Sequence, residues 1–531
     1  MKPLRKEDLT IEQKLGMTLC ATLSHGEADT EYVLQKIREH KVGAVWVNPT
    51  KDPKAVIDRV RAVADYPLVI ICDSEHGYLD KIPQQIALTA AGAREEDAYA
   101  FGYTTAANLR AAGYTAACNP VVDICKENTP CGHTTRTYGG DGETVTRLAK
   151  AVARGMHDAG LLAVAKHYPG GSAGLPYDTH MREDVAPYTA EELKGEHLRP
   201  YTELLKAGLL DGVMVGHRRF PNIDDTRPSC LSRPVMDLLR EEGFDGFYIS
   251  DALCMMGVVL KYGYEDPAAM AVAAGCDFPL PWEIPYDRAY EGILAAYRRG
   301  IVTEEQVDEC LDRILKTQEK VLAFSSVKAE VPDEYRARLA AMHTESVAAV
   351  CAEGVSPAIP VDGHHLFVLA TDGSTVLNPE EYLPGPREWF RPPNVAARIR
   401  EVFPNSDVIA ISQYPSVHES MTVFSRQTKY DDVIFVTYGV TSAYIGPEHM
   451  TSRLVALMDA LQSTDRIVAH LYFGNPFVIE DAPYVPRVLM GFTSEECVFH
   501  TLDILAGNAE AHGRVPYDNI VFHKKGDIIY R

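Results

Sequence analysis

The sequence predicts an α/β protein, a TIM-like (β/α)8 barrel followed by a smaller α/β sandwich domain. Three observations carry that expectation. Short, wholly apolar runs alternate with amphipathic helical stretches over the first ~300 residues. Polar residues collect at the C-terminal ends of those runs. A second alternating block then follows a charged helical connector.

The first-block runs are Val42–Val47, Pro67–Asp73, Ala116–Asp123, Leu161–His167, Gly212–His217, Gly246–Asp251 and Cys276–Pro281. A strand buried on both faces of a parallel sheet reads this way, because both alternating sets of side chains are apolar. Between them, Glu143–Gly160 and Arg233–Gly243 repeat apolar residues at three- and four-residue spacing and end on glycine, as amphipathic helices do. Seven such strand–helix units fit a closed barrel better than an open sheet. Asp73, Asp123, Lys166-His167, His217 and Asp251 all end strand runs, and a barrel gathers those ends at one mouth. Thr303-Glu304-Glu305-Gln306 reads as a capping box that opens a long helix. The second block holds strand-like His365–Thr371, Asp407–Ser412, Asp431–Gly439, Asp465–Gly474 and Arg487–Phe492. The expected division is a barrel over 1–325, a helical linker over 326–360 and a sandwich over 361–531. The proline-rich Leu383–Pro393 reads as a surface loop.

At 531 residues the chain exceeds one hydrophobic core. Acidic residues outnumber basic ones, 74 to 52, for a formal charge of -22. That balance argues against nucleic acid or an anionic membrane as the main partner. The start, MKPLRKEDLTIEQKLGM, lacks a signal-peptide core, and no apolar run is long enough to span a bilayer, so a cytoplasmic location is expected. The 11 cysteines form no CxxC pair, and Cys20, Cys72, Cys118 and Cys276 sit in apolar stretches. They read as buried thiols rather than disulfides or a zinc site. Gly139-Gly140 and Gly170-Gly171 match neither a phosphate loop nor a dinucleotide fingerprint, so no cofactor and no metal is expected. A homodimer is compatible with the sequence.

Two segments carry the candidate chemistry. Asp251 closes GFDGFYIS just past a buried strand. It reads either as the N-cap of a following helix or as a carboxylate projecting into the barrel mouth. KHYPGGSAGLPYDTH (Lys166–His180) runs from a strand end through a glycine- and proline-rich loop to Asp178-Thr179-His180. In extended chain, residues two apart share a side. Asp178 can then accept from one ring nitrogen of His180 and leave the other for proton transfer. In isolation the same triplet also reads as a surface turn. A carboxylate nucleophile and a loop-borne acid/base are the two parts that a retaining glycosidase needs. His217 alone reads as a structural histidine. Asp73 and Glu75 in CDSEHG, and Arg136 after the third strand, suit hydroxyl recognition or structural ion pairs equally.

In this order the segments resemble glycoside hydrolase family 3, and within it the NagZ-type β-N-acetylglucosaminidases. KHYPGG…DTH is similar to the family's acid–base loop and YISDAL to its nucleophile strand. Asp73–Gly77, Arg136–Gly139, Pro228–Ser232 and Gly243–Gly246 match further family elements. The resemblance covers about residues 8–325 and extends loosely into the second domain through Gly474–Phe477 and Gly513–Asp518. It implies a retaining exo-glycoside hydrolase for terminal β-linked N-acetylglucosamine or a related β-hexoside, with a carbohydrate as partner. By position it implies Asp251 as nucleophile, His180 as acid/base and Asp178 as its partner. Asp73, Arg136, Lys166 and His167 would bind sugar hydroxyls.

The departures fall on the sugar-binding shell. Gly171 stands where the family usually has histidine, in a loop one residue longer. His76 replaces a glycine, Lys81 an arginine, and Ala252 a second acid. A β-glucosidase or a glycoside phosphorylase of the same family is an alternative reading. So is a sugar-binding protein that has lost catalysis. A metal-dependent barrel hydrolase built on His167, His180, His217 and an Asp is another, although ligand spacing at a first strand is missing.

Overall fold

The structure, a computed structural model, describes residues 1–23, 26–49, 52–129, 133–171, 177–371, 390–439, 448–492 and 494–529. The middle of the glycine-rich loop (172–176) and most of the proline-rich patch (383–389) therefore lie outside the described residues. The chain forms two compact units. One comprises Met1–Lys81, Glu95–Cys125 and Gly140–Leu339, the other Ile82–Arg94, Lys126–Gly139 and Ala340–Arg531.

The first unit is built on eight parallel strands: β1 (Cys20–Thr22), β2 (Ala44–Trp46), β3 (Val69–Asp73), β4 (Ala116–Cys118), β5 (Leu162–Tyr168), β6 (Gly212–Val215), β7 (Phe247–Ala252) and β8 (Phe278–Leu280). They pair in that order, and β8 returns beside β1 to close the barrel. The seven apolar runs of the sequence each overlap one of β2–β8. β1 is a three-residue strand, too short to stand out as a run.

Register fixes which side chains line the interior, since partners across a parallel pair point to the same face. Trp46 pairs with Thr22 on one side and Ile71 on the other. Asp73 pairs with Cys118, and Ala116 with Leu162. Lys166 pairs with Met214, and Met214 with Ile249. Alternation along each strand then places Thr22, Trp46, Asp73, Cys118, Lys166 and Asp251 on one face. That face is the inside, because Lys166 on β5 and Asp73 on β3 meet at 2.5 Å although β4 runs between them. Cys20, Cys72, Cys118 and Cys276 are buried thiols.

The second unit is a six-stranded sheet: β9 (Ala348–Cys351), β10 (His365–Thr371), β11 (Asp407–Ser412), β12 (Asp432–Tyr438), β13 (Ile467–Phe473) and β14 (Arg487–Gly491). Its order is β9-β14-β13-β12-β10-β11, all parallel except the β9–β14 pair. Helices Pro392–Val402 and Glu495–Leu505 bury Val395, Ile399, Val498 and Leu502 in one core. Ser452–Gln462 buries Leu454, Leu457 and Met458 in a second core. The unit is therefore a sandwich with helices on both faces of the sheet. The capping box at Thr303 opens helix Glu304–Phe324 as the sequence implies. Among the described residues no helix is long and apolar enough to cross a membrane.

Candidate active site

Asp251 sits on the inner face at the end of β7, with its Oδ1 accepting from the Ala252 N–H at 2.7 Å. Burial alone would push this carboxyl up. The imidazoles of His217 and His167, the Ala252 N–H and His180 act against that and hold it at about 2. Asp251 is thus an anion at neutral pH, surrounded by three imidazoles.

His217 contributes without a proton to give. Burial lowers its pKa further than Asp251 raises it. Its Nε2 lies 2.9 Å from the Ala252 carbonyl, which only accepts, so Nε2 carries the hydrogen. Its Nδ1 lies 3.0 Å from the Cys230 sulfur. Burial pushes the Cys230 thiol well up, so the S–H donates to Nδ1. Both ring nitrogens of a neutral imidazole are then engaged, and the peptide after Asp251 is held in place.

His180 and Asp178 form a pair at 2.8 Å through Nδ1 and Oδ1. The Asp178 side chain is fully buried. A carboxylate only accepts, so Nδ1 bears the hydrogen and Nε2 is the nitrogen this pair leaves able to exchange a proton. The same Oδ1 accepts the His180 backbone N–H at 2.8 Å. The turn is tied to the chain beyond the nucleophile. Gly257 N donates to Thr179 O at 2.9 Å, and Met256 N donates to His180 O at 3.3 Å. The triplet that also reads as a surface turn therefore sits against the helix that follows Asp251.

Lys166, only 1% exposed, bridges Asp73 at 2.5 Å and Glu75 at 3.1 Å. The next residue, His167, places Nδ1 2.7 Å from Asp123 Oδ2, a second Asp–His pair at the strand ends. Gly171 has a φ of +77°, and a Cβ there would lie 3.1 Å from both Phe220 and Tyr188. A side chain in the left-handed region against two rings is strained, which accounts for glycine where the family has histidine. Arg218 braces the same turn by donating to the Gly171 carbonyl and, at 2.5 Å, to buried Asp184.

The structure thus brings Asp251, His180, Asp178, Lys166, His167 and Asp73 to the strand ends of one barrel. Arg136 ends the short helix His133–Arg136 in the second compact unit. Asp184 and Arg218 have no place in the sequence reading, and the partners that His217, Asp123 and Glu75 take up are not visible in it. Their partners lie 13 to 91 residues away, so no local signal marks them. Among the described residues no three His, Cys, Asp or Glu side chains group as metal ligands.

Residues 10–317 match the family described as Glycosyl hydrolase family 3 N terminal domain. A β-hexosaminidase of Tolumonas auensis is 33% identical over 236 residues, 43% of this chain and 70% of the relative. A β-N-acetylglucosaminidase/β-glucosidase of Cellulomonas fimi is 29% identical over 324 residues, 57% of this chain and 56% of the relative. A family 3 β-N-acetylglucosaminidase structure from Paenibacillus sp. str. FPU-7 superposes with a TM-score of 0.78 at 26% identity, covering 96% of this chain and 99% of that one.

Proposed function

We propose a specific reaction for this chain, which belongs to glycoside hydrolase family 3 and is a glycoside hydrolase. The reaction is exo-hydrolysis of a terminal β-linked N-acetylglucosamine with retention of configuration. The Tolumonas relative is named a β-hexosaminidase and the Paenibacillus structure a β-N-acetylglucosaminidase, and these names support the choice of sugar. The observation that carries the mechanism is an ionised, interior Asp251 beside a His180 whose Nδ1 is held by a buried carboxylate.

In the first step an Asp251 oxygen bonds to the anomeric carbon while the glycosidic C–O bond breaks. Its electron pair stays on the leaving oxygen, which takes the proton from His180 Nε2. In the second step water attacks the same carbon, His180 Nε2 takes its proton, and Asp251 departs as carboxylate. Lys166, His167 and Asp73 present donors and acceptors to the sugar hydroxyls.

The test compares wild type and Asp251→Ala on aryl β-N-acetylglucosaminide and aryl β-glucoside, each with and without inorganic phosphate. The variant should lose activity by on the order of 10⁴-fold or more. Full activity in the variant refutes the nucleophile. A wild type that cleaves only the glucoside refutes the sugar but leaves the mechanism standing. A rate that requires phosphate replaces water by phosphate as the acceptor.

A further inference from the structure

We propose that Thr22, Trp46 and Trp282 form a carbohydrate-binding subsite on the wall of the barrel mouth. The proposal deepens the glycosidase reading and rests on it for the identity of the ligand. The relevant arc of the barrel runs from β8 through β1 to β2. It joins the strand beside Asp251 to the strand beside Asp73 by the side opposite Lys166 and His167.

Thr22 and Trp46 are register partners at the C-terminal ends of adjacent strands, both on the inner face. They are 8% and 2% exposed. Among the described residues neither the Thr22 hydroxyl nor the Trp46 indole N–H has a hydrogen-bond partner. Buried indole and hydroxyl groups ordinarily find one, and an orphaned pair, side by side and turned into a mouth, calls for an acceptor brought from outside. Trp282 completes the wall. It follows β8 by two residues and packs edge-to-face on Trp46, with ring centroids 5.4 Å apart. Its φ of 59° lies in the left-handed region, where a bulky residue is rarely found unless its surroundings or its use hold it there. Its side chain is half-buried.

Two donors beside an aromatic face match a pyranose, which offers hydroxyl oxygens at its edge and apolar C–H groups on its face. A sugar in the mouth would meet the charged set of Lys166, His167 and Asp73 on one side. It would meet the aromatic set on the other.

The test uses the full-length chain with N-acetylglucosamine and glucose as probes. Only three tryptophans are present, so Trp389→Phe leaves Trp46 and Trp282 as the reporters. Their fluorescence should respond to one of the two sugars in wild type and in W389F, and the response should shrink in W282F. Trp46→Phe keeps an aromatic ring, although a smaller one, and removes the N–H, and Thr22→Val keeps the shape and removes the hydroxyl. Each should weaken sugar affinity by about 3- to 10-fold, read as an inhibition constant or KM, with kcat changed less. Unchanged affinity in both variants overturns the subsite whatever the fluorescence does. If Trp46→Phe melts early, the near-isosteric Thr22→Val decides alone. If wild type hydrolyses neither glycoside yet still responds to a sugar, and the variants weaken that response, the catalytic reading fails and the subsite stands.

Discussion

Gly257 is the most sensitive link between the two halves of the proposed chemistry. It lies in the first turn of helix Met256–Tyr262, and its N–H holds the Thr179 carbonyl. A Cβ at this position would stand 2.8 Å from Thr179 O and 3.0 Å from Arg182 O. The turn carrying His180 must back away by about 0.6 Å to restore ordinary contact. Displacing a catalytic group by ~1 Å can cost about 100-fold, so Gly257→Ala should cost roughly 15-fold in the step that needs His180 as acid. The assay is kcat/KM on paired aryl glycosides. A phenyl leaving group needs a proton, whereas a 2,4-dinitrophenyl leaving group departs without one. The phenyl substrate should fall by about 15-fold and the dinitrophenyl substrate by less than about 3-fold. Equal losses on both substrates, or no loss on phenyl, would refute the idea that Gly257 acts by placing His180. A thermal melt of the variant separates this from general destabilisation.

Two further outcomes follow from buried charge. Lys166→Met strands Glu75 and the half-exposed Asp73 without their shared cation. It should cost about 3 kcal/mol in the unfolding of the barrel, the low end for breaking a buried pair, and a loss below about 1 kcal/mol by denaturant titration would contradict it. In the second unit, burial holds the His470 pKa at about 3, with Nε2 2.7 Å from the Thr437 hydroxyl. The unfolded chain takes up that proton near pH 6.5 while the folded chain does not, so stability falls as pH drops from about 6.5 toward about 3. Calorimetry should show the second unit losing about 1.4 kcal/mol from this group between roughly pH 7.5 and 5.5, and His470→Gln should remove that slope. An unchanged slope in the variant would assign it to other groups.

The barrel is legible in the sequence because a parallel strand buried on both faces leaves a continuous apolar run. Where that signature is absent, the reading stops. β1 spans three residues, and β9 lies in the alanine-rich stretch that begins the sandwich, inside what composition reads as a helical connector. β9 is a strand because Ala348–Cys351 pairs with Arg487–Met490, a partner far along the chain. The site divides the same way. Asp178–His180 is visible as a pair because its members are two residues apart. Asp123–His167 has the same geometry but spans 44 residues, so only the closed barrel reveals it. The segments Ile82–Arg94 and Lys126–Gly139 leave no compositional mark of their place in the second unit. Arg514 N donating to Ala90 O and Tyr517 Oη donating to Thr134 O fix them there.

The charges at the strand ends are sorted by task. The strong cations are spoken for: Lys166 by Asp73 and Glu75, Arg218 by Asp184. Among the described residues neither lysine nor arginine pairs with Asp251. A guanidinium or ammonium in contact would keep that carboxylate ionised, but it would also hold back the electron pair that attacks carbon in the proposed mechanism. The peptide N–H of Ala252 and the imidazoles of His217, His167 and His180 hold the anion instead, and in the proposed mechanism these fixed groups need little reorganisation as charge moves onto the sugar. In the proposed mechanism His180 has the opposite requirement, since its proton must leave and return within one cycle. Its carboxylate partner binds Nδ1 rather than Nε2, which fixes the ring and leaves the exchanging nitrogen on the far side. In the proposed mechanism Asp251 is held ionised by the Ala252 N–H and the surrounding imidazoles rather than by a lysine or arginine, and His180 is oriented by the Asp178 carboxylate.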